Sequence, residues 1–261
     1  MNYLAHAYLS FEITDITVGN MISDFVKGKQ KLDYPFAIQQ GIVLHRAIDS
    51  FTDSHAVTRQ AKSFFKEAYG LYAGPLVDVV YDHFLANDPL RFPETGEKGP
   101  AAGEGGGGTG DGVGGAGGDK GGTGQGARGP GDGVPSPGEG ARGTEGGAIG
   151  DEETGGTGLK AFAQKTYERL STREALMPER FGRFFPYMRA QDWLFNYRYK
   201  QGILNSFEGL ARRAAYMGSS EQAGQLFEKH YSGLEACYTD FFPALQDFAL
   251  RTLEQLQEVK G

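Results

Sequence analysis

The sequence predicts an all-α protein, a single-domain helical bundle, and three observations lead to this prediction. Outside one glycine-rich segment, apolar residues recur at the three- and four-residue spacing of amphipathic helices. The alternation of apolar and polar residues that marks a half-buried strand is absent from the sequence. Without the glycine-rich segment, the chain keeps a length typical of one domain with a sizeable core.

Seven helices are predicted, and the glycine-rich segment separates the third from the fourth. Pro75 and Pro178 favour helix starts, because proline fits the first helical turn, and Pro243 favours an interruption. The apolar periodicity places helices at residues 36–51, 55–72, 76–86, 159–170, 178–189, 192–217 and 220–259, the last with a break near Pro243. Two shorter apolar runs precede them, one containing His6 and the other Asp24.

Residues 96–158 differ in composition from the rest of the chain. They hold 29 of the 41 glycines and no Phe, Tyr, Trp or Leu. Such a segment cannot bury enough apolar surface to offset its chain entropy, so we predict a disordered insertion in a surface loop. A flexible tether or a recruitment tail is the alternative. Residues 1–95 and 159–261 are then predicted to form one helical domain.

One predicted helix carries a polar ridge. His45, Asp49 and Asp53 are spaced four residues apart, so they lie on the same helix face. Apolar residues cover much of the rest of this helix, and a partly buried charge needs a charged partner or a metal ion. The pattern alone leaves two interpretations open: the ridge binds a metal, or His45 and Asp49 pair with each other and with Arg46 on a solvent-exposed surface.

The predicted helix at residues 76–86 is apolar and nevertheless carries Asp78, Asp82 and His83. Asp78 lies in the first predicted turn and can complement the helix dipole. Asp82 is better interpreted as a metal ligand or a base, because a charged group is costly in such a setting without a role.

The predicted metal ligands form a mixed set of imidazoles and carboxylates. They are His6, Asp24, His45, Asp49 and Asp82. Taken singly, His6 is a weak candidate, since a lone histidine on an apolar face is more often a hydrogen-bonded core residue. Together these groups suit manganese, iron, zinc or magnesium, and the lack of thiolates argues against a closed structural zinc site.

Four segments together resemble the bacterial acyl carrier protein phosphodiesterase family, also called ACP hydrolases. The segments are residues 2–6, 19–26, 41–53 and 78–85, and the likeness continues at residues 191–194, 197–198 and 209–213. The resemblance implies hydrolysis of the phosphodiester that joins 4'-phosphopantetheine to a serine of holo acyl carrier protein, with manganese as the metal. It also implies an all-helical fold distantly related to the HD phosphohydrolases, although this chain has Asp82-His83 in place of their adjacent His-Asp pair.

Two further residues are expected to act on the phosphodiester. Arg46 follows His45 and could clamp a phosphate oxygen with its planar guanidinium. His83 could protonate the leaving serine oxygen or orient the water. Asp53 is expected to cap the next helix instead. Two other functions stay open: a metal-dependent phosphohydrolase acting on a small phosphoester or nucleotide, and a non-catalytic carrier-protein binder.

Charge is unevenly placed along a chain whose net charge is −7. Basic residues outnumber acidic ones between residues 160 and 213, which predicts a basic face. Because acyl carrier protein is acidic along its recognition helix, the resemblance makes this face the expected docking surface; an ordinary solvated helix face is the alternative. Nucleic acid is disfavoured as a partner, since the chain is acidic and lacks a known reader motif.

The location of the protein is predicted from what its sequence lacks. No secretory signal and no stretch of some 18 apolar residues is present, so we expect a cytoplasmic protein without a membrane partner. The single cysteine, Cys237, excludes an intramolecular disulfide, and its neighbours predict a buried side chain.

Overall fold

The computed structural model describes residues 1–93, 157–214 and 216–258. Within these ranges the protein consists of α-helices and short 3₁₀ turns without a β-strand, which confirms the all-α prediction. The glycine-rich segment that was predicted to be disordered lies outside the described residues, apart from Thr157 and Gly158, which begin a helix. No helix in the described ranges is long and apolar enough to cross a membrane.

The described residues form eleven α-helices, numbered here in chain order. They are α1 (Tyr3–Tyr8), α2 (Thr14–Ile22), α3 (Phe36–Ser54), α4 (Ala56–Tyr69), α5 (Ala73–Ala86), α6 (Thr157–Ser171), α7 (Glu179–Ala190), α8 (Trp193–Asn196), α9 (Lys200–Arg213), α10 (Ser220–Lys229) and α11 (Tyr231–Glu258). Two 3₁₀ turns, Ser23–Phe25 and Gly28–Asp33, lie between α2 and α3, and the first of them contains Asp24, which contacts His45.

Five predicted helices match α3 to α7 with shifts of a few residues at their ends, and the other two each divide. The predicted helix at 192–217 is α8 and α9, which are separated by three residues. At this break the chain folds back tightly, since a Cβ on Gly202 would lie only 2.1 Å from the carbonyl oxygen of Asn196. The predicted helix at 220–259 divides at His230 rather than near Pro243.

Helix α11 continues through Pro243. Proline removes one main-chain hydrogen bond from a helix, so a break was expected there. Phe241, Phe242 and Leu245 are all buried in the core around it, however, and this apolar contact holds both halves of the helix in place. Tertiary packing has overridden the local preference.

The start of α4 also differs from the prediction. The N-cap is His55, whose Nδ1 accepts a hydrogen bond from the Val57 amide at 3.3 Å. Asp53, the predicted cap, is exposed and forms an ion pair with Lys62 at 2.7 Å. The end of the polar ridge therefore faces α4 and not the candidate site.

Helices α2 and α3 touch through two glycines. A Cβ on Gly19 would lie 2.1 Å from the carbonyl oxygen of Ile38, and one on Gly41 would lie 2.4 Å from that of Ile16. Any side chain at either position would force the two backbones apart. This close crossing brings Asn20, next to Gly19, within hydrogen-bonding distance of His45, one turn beyond Gly41.

Helix α5 lies at the centre of the fold. Every residue from Val79 to Ala86 is buried, and the helix packs against α1, α4, α9 and α11. Polar groups on α5 must therefore find partners on several neighbouring helices. Asp82 and His83 do so in different directions.

Candidate metal centre

Three side chains from two helices converge at one point: His6 on α1, and His45 and Asp49 on α3. One ligand atom from each lies within 4.8 Å of the others. The two imidazole rings stack with their centroids 3.9 Å apart. Both histidines are buried, whereas the Asp49 side chain keeps 39% of its surface exposed. These residues, called here the His/His/Asp cluster, therefore form a site that opens to solvent beside Asp49.

The hydrogen bonds of Asn20 set the tautomer of His6. The Asn20 amide nitrogen donates to the His6 carbonyl oxygen at 2.9 Å and to Ser10 Oγ at 3.1 Å, so its side-chain oxygen faces His6. His6 Nδ1 donates to that oxygen at 2.8 Å. Nε2 then carries the lone pair; this buried atom lies 3.3 Å from Asp49 Oδ1, and with the proton on Nδ1 it has no hydrogen to donate to that carboxylate.

His45 is held by the main chain of the same asparagine. Its Nδ1 donates to the Asn20 carbonyl oxygen at 2.8 Å. Its Nε2 lies 3.1 Å from both Asp24 Oδ1 and Asp49 Oδ2. A neutral His45 with its proton on Nδ1 would direct a lone pair at two carboxylate oxygens, so this position requires a cation, either a proton or a metal.

Electrostatics separate the two histidines. Burial, together with the charge of His45, lowers the pKa of His6 to about 4, so His6 is neutral near pH 7 and its lone pair is available. Burial also lowers the pKa of His45, but the bonds to Asp24 and Asp49 outweigh it and raise that pKa to about 9. His45 thus holds a proton between two carboxylates in the metal-free protein.

The cluster fits a divalent metal. It offers two imidazole nitrogens that both face the Asp49 carboxylate, one from His6 and one from His45, and Asp49 itself. Mixed nitrogen and oxygen ligands suit manganese, iron, zinc and magnesium to different degrees. The outer partners that orient metal-binding histidines are present as well, since each Nδ1 donates to Asn20.

Asp49 also faces the ammonium group of Met1. That nitrogen lies 3.2 Å from Asp49 Oδ1 and 3.2 Å from Asp78 Oδ1. Desolvation opposes ionisation of Asp49, but the ammonium and the two histidines hold its pKa well below its usual value. Asp78, expected only to complement the helix dipole, thus contacts a buried cation beside the cluster.

Comparison with known proteins identifies the family. A model described as acyl carrier protein phosphodiesterase matches residues 1–98 and 152–245. The chain belongs to the acyl carrier protein phosphodiesterase family. All three cluster residues lie in the matched ranges, whereas residues 99–151, most of the glycine-rich segment, lie between them.

Individual relatives are similar at modest identity over nearly the whole chain. A protein of Photorhabdus laumondii named acyl carrier protein phosphodiesterase is 22% identical over 95% of each chain. Proteins of the same name from Yersinia pestis and Salmonella paratyphi A are 22% and 23% identical, covering 94% and 96% of this chain and 95% and 98% of their own. No solved structure is significantly similar.

Asp24 lies at the rim of the cluster. It belongs to the 3₁₀ turn Ser23–Phe25 and reaches His45 Nε2 at 3.1 Å, while 68% of its side chain stays exposed. Desolvation works against the charged form, but the hydrogen bond with His45 lowers the pKa of Asp24. The expected ligand is therefore close to the cluster without being one of its three convergent residues.

Asp82 caps the first helix. Its Oδ2 accepts a hydrogen bond from the Leu4 amide at 2.8 Å, and its Oδ1 accepts one from the Ala5 amide at 3.1 Å. These amides belong to the first turn of α1, where main-chain N–H groups lack helical partners. Both carboxylate oxygens thus bind main chain, so Asp82 supports the helix that carries His6 and does not face the cluster as a ligand.

His83 belongs to the core on another side of α5. Its Nδ1 donates to the Tyr197 carbonyl oxygen at 2.8 Å, and its Nε2 lies 3.1 Å from the Tyr231 hydroxyl. Its ring packs edge-on against Phe227 with centroids 5.5 Å apart. The structure does not bring His83 to the cluster, because both ring nitrogens are occupied by Tyr197, between α8 and α9, and by Tyr231 of α11.

Arg46 lies on the exposed side of α3, next to His45. Its Nη2 donates to the Val26 carbonyl oxygen at 2.9 Å, which ties α3 to the chain just after Asp24. One terminal nitrogen is thus engaged in this bond, and the guanidinium stays at the surface near the rim. A phosphate-binding role for Arg46 is compatible with this position.

Asn20 is the residue that sequence reasoning missed. It is fully buried and contacts both histidines, one through its side chain and one through its carbonyl oxygen. The available signal was a polar amide directly after Gly19 in an otherwise apolar helix. That signal predicts a buried hydrogen-bonded residue, but not that its partners would be His6 and His45.

Proposed function

We propose that this protein is a metal-dependent phosphodiesterase that releases 4'-phosphopantetheine from holo acyl carrier protein, leaving the apo carrier with a free serine. The proposal rests on family membership together with one structural observation. His45 Nε2 lies 3.1 Å from two carboxylates with its proton assigned to Nδ1, and the His6 Nε2 lone pair faces Asp49 Oδ1 at 3.3 Å. A family of diester hydrolases and a site that requires a cation point to the same chemistry.

The metal would be held by His6 Nε2, His45 Nε2 and an Asp49 carboxylate oxygen, with Asp24 in reach from the rim. A divalent metal bound there supplies a hydroxide near neutral pH and neutralises phosphoryl oxygens. Manganese is the ion we propose first, and magnesium or iron would suit the same donors.

The chain's own residues prepare the site. Asn20 fixes both Nδ1 protons, so both Nε2 lone pairs face the cluster. Arg46 is proposed to bind a non-bridging phosphate oxygen, because its guanidinium lies at the surface directly after His45. Asp82 holds the start of α1 and thereby the position of His6. His83 is left out of the catalytic set because its partners are in the core.

The decisive experiment measures the mass of the carrier. Purified protein is incubated with holo acyl carrier protein and manganese, and the carrier is weighed by mass spectrometry. We expect the carrier to lose the phosphopantetheine mass, and we expect a chelator to stop the reaction until manganese is restored. His45→Ala should be inactive under the same conditions. An unchanged carrier, with turnover of a nucleotide or small phosphoester instead, would refute the proposed substrate.

A further inference from the structure

Four basic residues lie close in sequence to Asp24 and His45. Lys27, Lys29 and Lys31 follow Asp24 within seven residues, and Arg46 reaches the same segment from α3. Between Phe25 and Arg46 the sequence holds these four cations and a single carboxylate, Asp33. We call Lys27, Lys29, Lys31 and Arg46 the basic rim.

Three contacts fix the start of this segment beside the cluster. Asp24 reaches His45 at 3.1 Å, and Arg46 binds the Val26 carbonyl oxygen at 2.9 Å. The Phe25 ring packs against Phe184 of α7 with centroids 5.5 Å apart. The base of the basic rim is therefore held by α3 and α7 and does not depend on the lysines.

Chain geometry places the lysines close to the site. Lys27 follows Asp24 by three residues, so their Cα atoms are at most about 11 Å apart. The 3₁₀ turn Gly28–Asp33 carries the other two lysines, and Lys31 lies about 8 Å further on at a rise of roughly 2 Å per residue. Lys27 and Lys29 are exposed, and Leu32 beside them exposes 62% of its surface.

The basic residues between 160 and 213 differ from Lys29 and Lys31 of the basic rim in their ion pairing. Five of the eleven form ion pairs with acidic residues, so part of the positive charge of that face is already neutralised. The pairs are Arg169 with Glu12, Arg173 with Asp15, Arg183 with Glu179, Lys200 with Glu228, and Arg212 with Glu208. Among the described residues, by contrast, Lys29 and Lys31 form no ion pair. The face predicted from sequence is thus partly neutralised by its own ion pairs, whereas these two lysines of the basic rim are not.

We propose that the basic rim is the docking surface for the acidic protein surface that surrounds the reacting serine of the carrier. This inference rests on the proposed function. A substrate protein whose phosphodiester enters the cluster would bring its neighbouring surface past Asp24 and Arg46, where the basic rim begins. Positive charge there steers and orients an acidic partner, while the net charge of −7 repels it elsewhere. Exposed Leu32 adds an apolar contact in the same segment.

The test compares two double charge reversals that change the net charge equally. Lys29→Glu with Lys31→Glu alters the basic rim and leaves the main-chain capping residue Lys27 in place. Lys66→Glu with Lys229→Glu alters exposed lysines on α4 and α10 and serves as the matched control. Binding of fluorescently labelled holo acyl carrier protein is measured at low and high salt, and turnover is measured with the carrier and with bis(p-nitrophenyl) phosphate.

The rim variant should bind the carrier at least tenfold more weakly at low salt, with the difference shrinking at high salt because screening removes it. Its turnover of the small diester should stay within twofold of the parent, and the control variant should match the parent in every assay. Unchanged carrier binding in the rim variant, or an equal loss in both variants, would overturn the docking surface. Binding is read separately from phosphopantetheine release, so a carrier that binds through the rim without losing its prosthetic group would refute the proposed reaction alone.

Discussion

Two buried histidines in this protein have similar neighbours in sequence but different hydrogen-bond partners in the structure. His45 and His83 both lie on apolar helices beside an aspartate or arginine. His83 has a carbonyl oxygen and a tyrosine hydroxyl as partners, one for each nitrogen. His45 has a carbonyl oxygen on one nitrogen and two carboxylates on the other. The first set of partners satisfies a neutral ring, whereas the second demands a cation.

The difference teaches how to separate a core histidine from a ligand. A neutral imidazole has one donor and one acceptor, so a carbonyl and a hydroxyl complete its hydrogen bonding. Carboxylates accept only, and two of them at one nitrogen leave a charge deficit that a proton or metal must fill. His6 extends the contrast, because its Nε2 is buried without a hydrogen bond among the described residues. The His/His/Asp cluster therefore needs an added cation, whereas the hydrogen bonding of His83 is already complete.

The largest expected effect comes from removing His45. His45→Ala should lower kcat/KM for the holo carrier by at least about a thousandfold, because it deletes a proposed metal ligand and leaves Asp24 and Asp49 facing each other. Manganese content, measured after loading and gel filtration, should fall with activity while circular dichroism shows a folded protein. Normal manganese content in the variant would contradict the proposed site.

The sequence predicted the surroundings of His45 better than those of His83. His45 and Asp49 were visible as a pair because four-residue spacing on one helix is local information. The apolar pattern around Asp82 and His83 showed that both are buried, but their roles depend on which helices pack against α5. That depends on tertiary contacts, with Leu4 and Ala5 on one side and Tyr197 and Tyr231 on the other.

The fold shows the same limit. The helical class and five helices followed from periodicity, since amphipathic spacing is read within one segment. The breaks after Asn196 and at His230, and the continuity of α11 through Pro243, depend on packing between segments. The role of Asn20 is another example, because the contact between Gly19 and Gly41 that brings α2 onto α3 involves residues 22 positions apart.

A pH titration of protein stability can test whether Asp82 has a structural role. Burial raises the pKa of Asp82 from its ordinary value of 3.8 to about 7. The stability contributed by the protonated form is fully present below pH 4 and is lost as pH rises through about 7. The metal-free parent should therefore lose roughly 2 to 3 kcal/mol between pH 5 and pH 8 from this group.

The matched variant for that titration is Asp82→Asn, which cannot ionise. Urea unfolding in a chelator at pH 5 and pH 8 should show a smaller loss for the variant than for the parent. The variant loses one acceptor for the amides of α1 at every pH, so the comparison uses the change with pH and not the absolute stability. Parallel pH profiles would show that Asp82 does not titrate in this range.

Removing the Asn20 side chain tests whether the cluster needs oriented histidines. Asn20→Ala should weaken manganese binding by about 10- to 100-fold, the usual cost of losing such a partner, because His6 is free to turn its lone pair away. Gln40→Ala is the control, since Gln40 is a buried amide that binds the Leu256 carbonyl oxygen instead. Manganese titration by calorimetry should separate the two, and equal affinities would assign Asn20 a purely structural role.

The smallest effect on catalysis is expected at His83, which completes the comparison. His83→Gln should lower the free energy of unfolding by about 1 to 2 kcal/mol, because a hydrogen-bonded core ring is lost while an amide can still reach one partner. Its kcat/KM at 25 °C should stay within threefold of the parent, and its manganese affinity should not change. A thousandfold loss of kcat with normal stability would return His83 to the catalytic set, and would mean that a histidine with two satisfied nitrogens can still act on the substrate. Normal kinetics with a lower melting temperature would instead support the contrast with His45. The His83 variant would then lose stability and keep its activity, whereas the His45 variant would lose activity and stay folded.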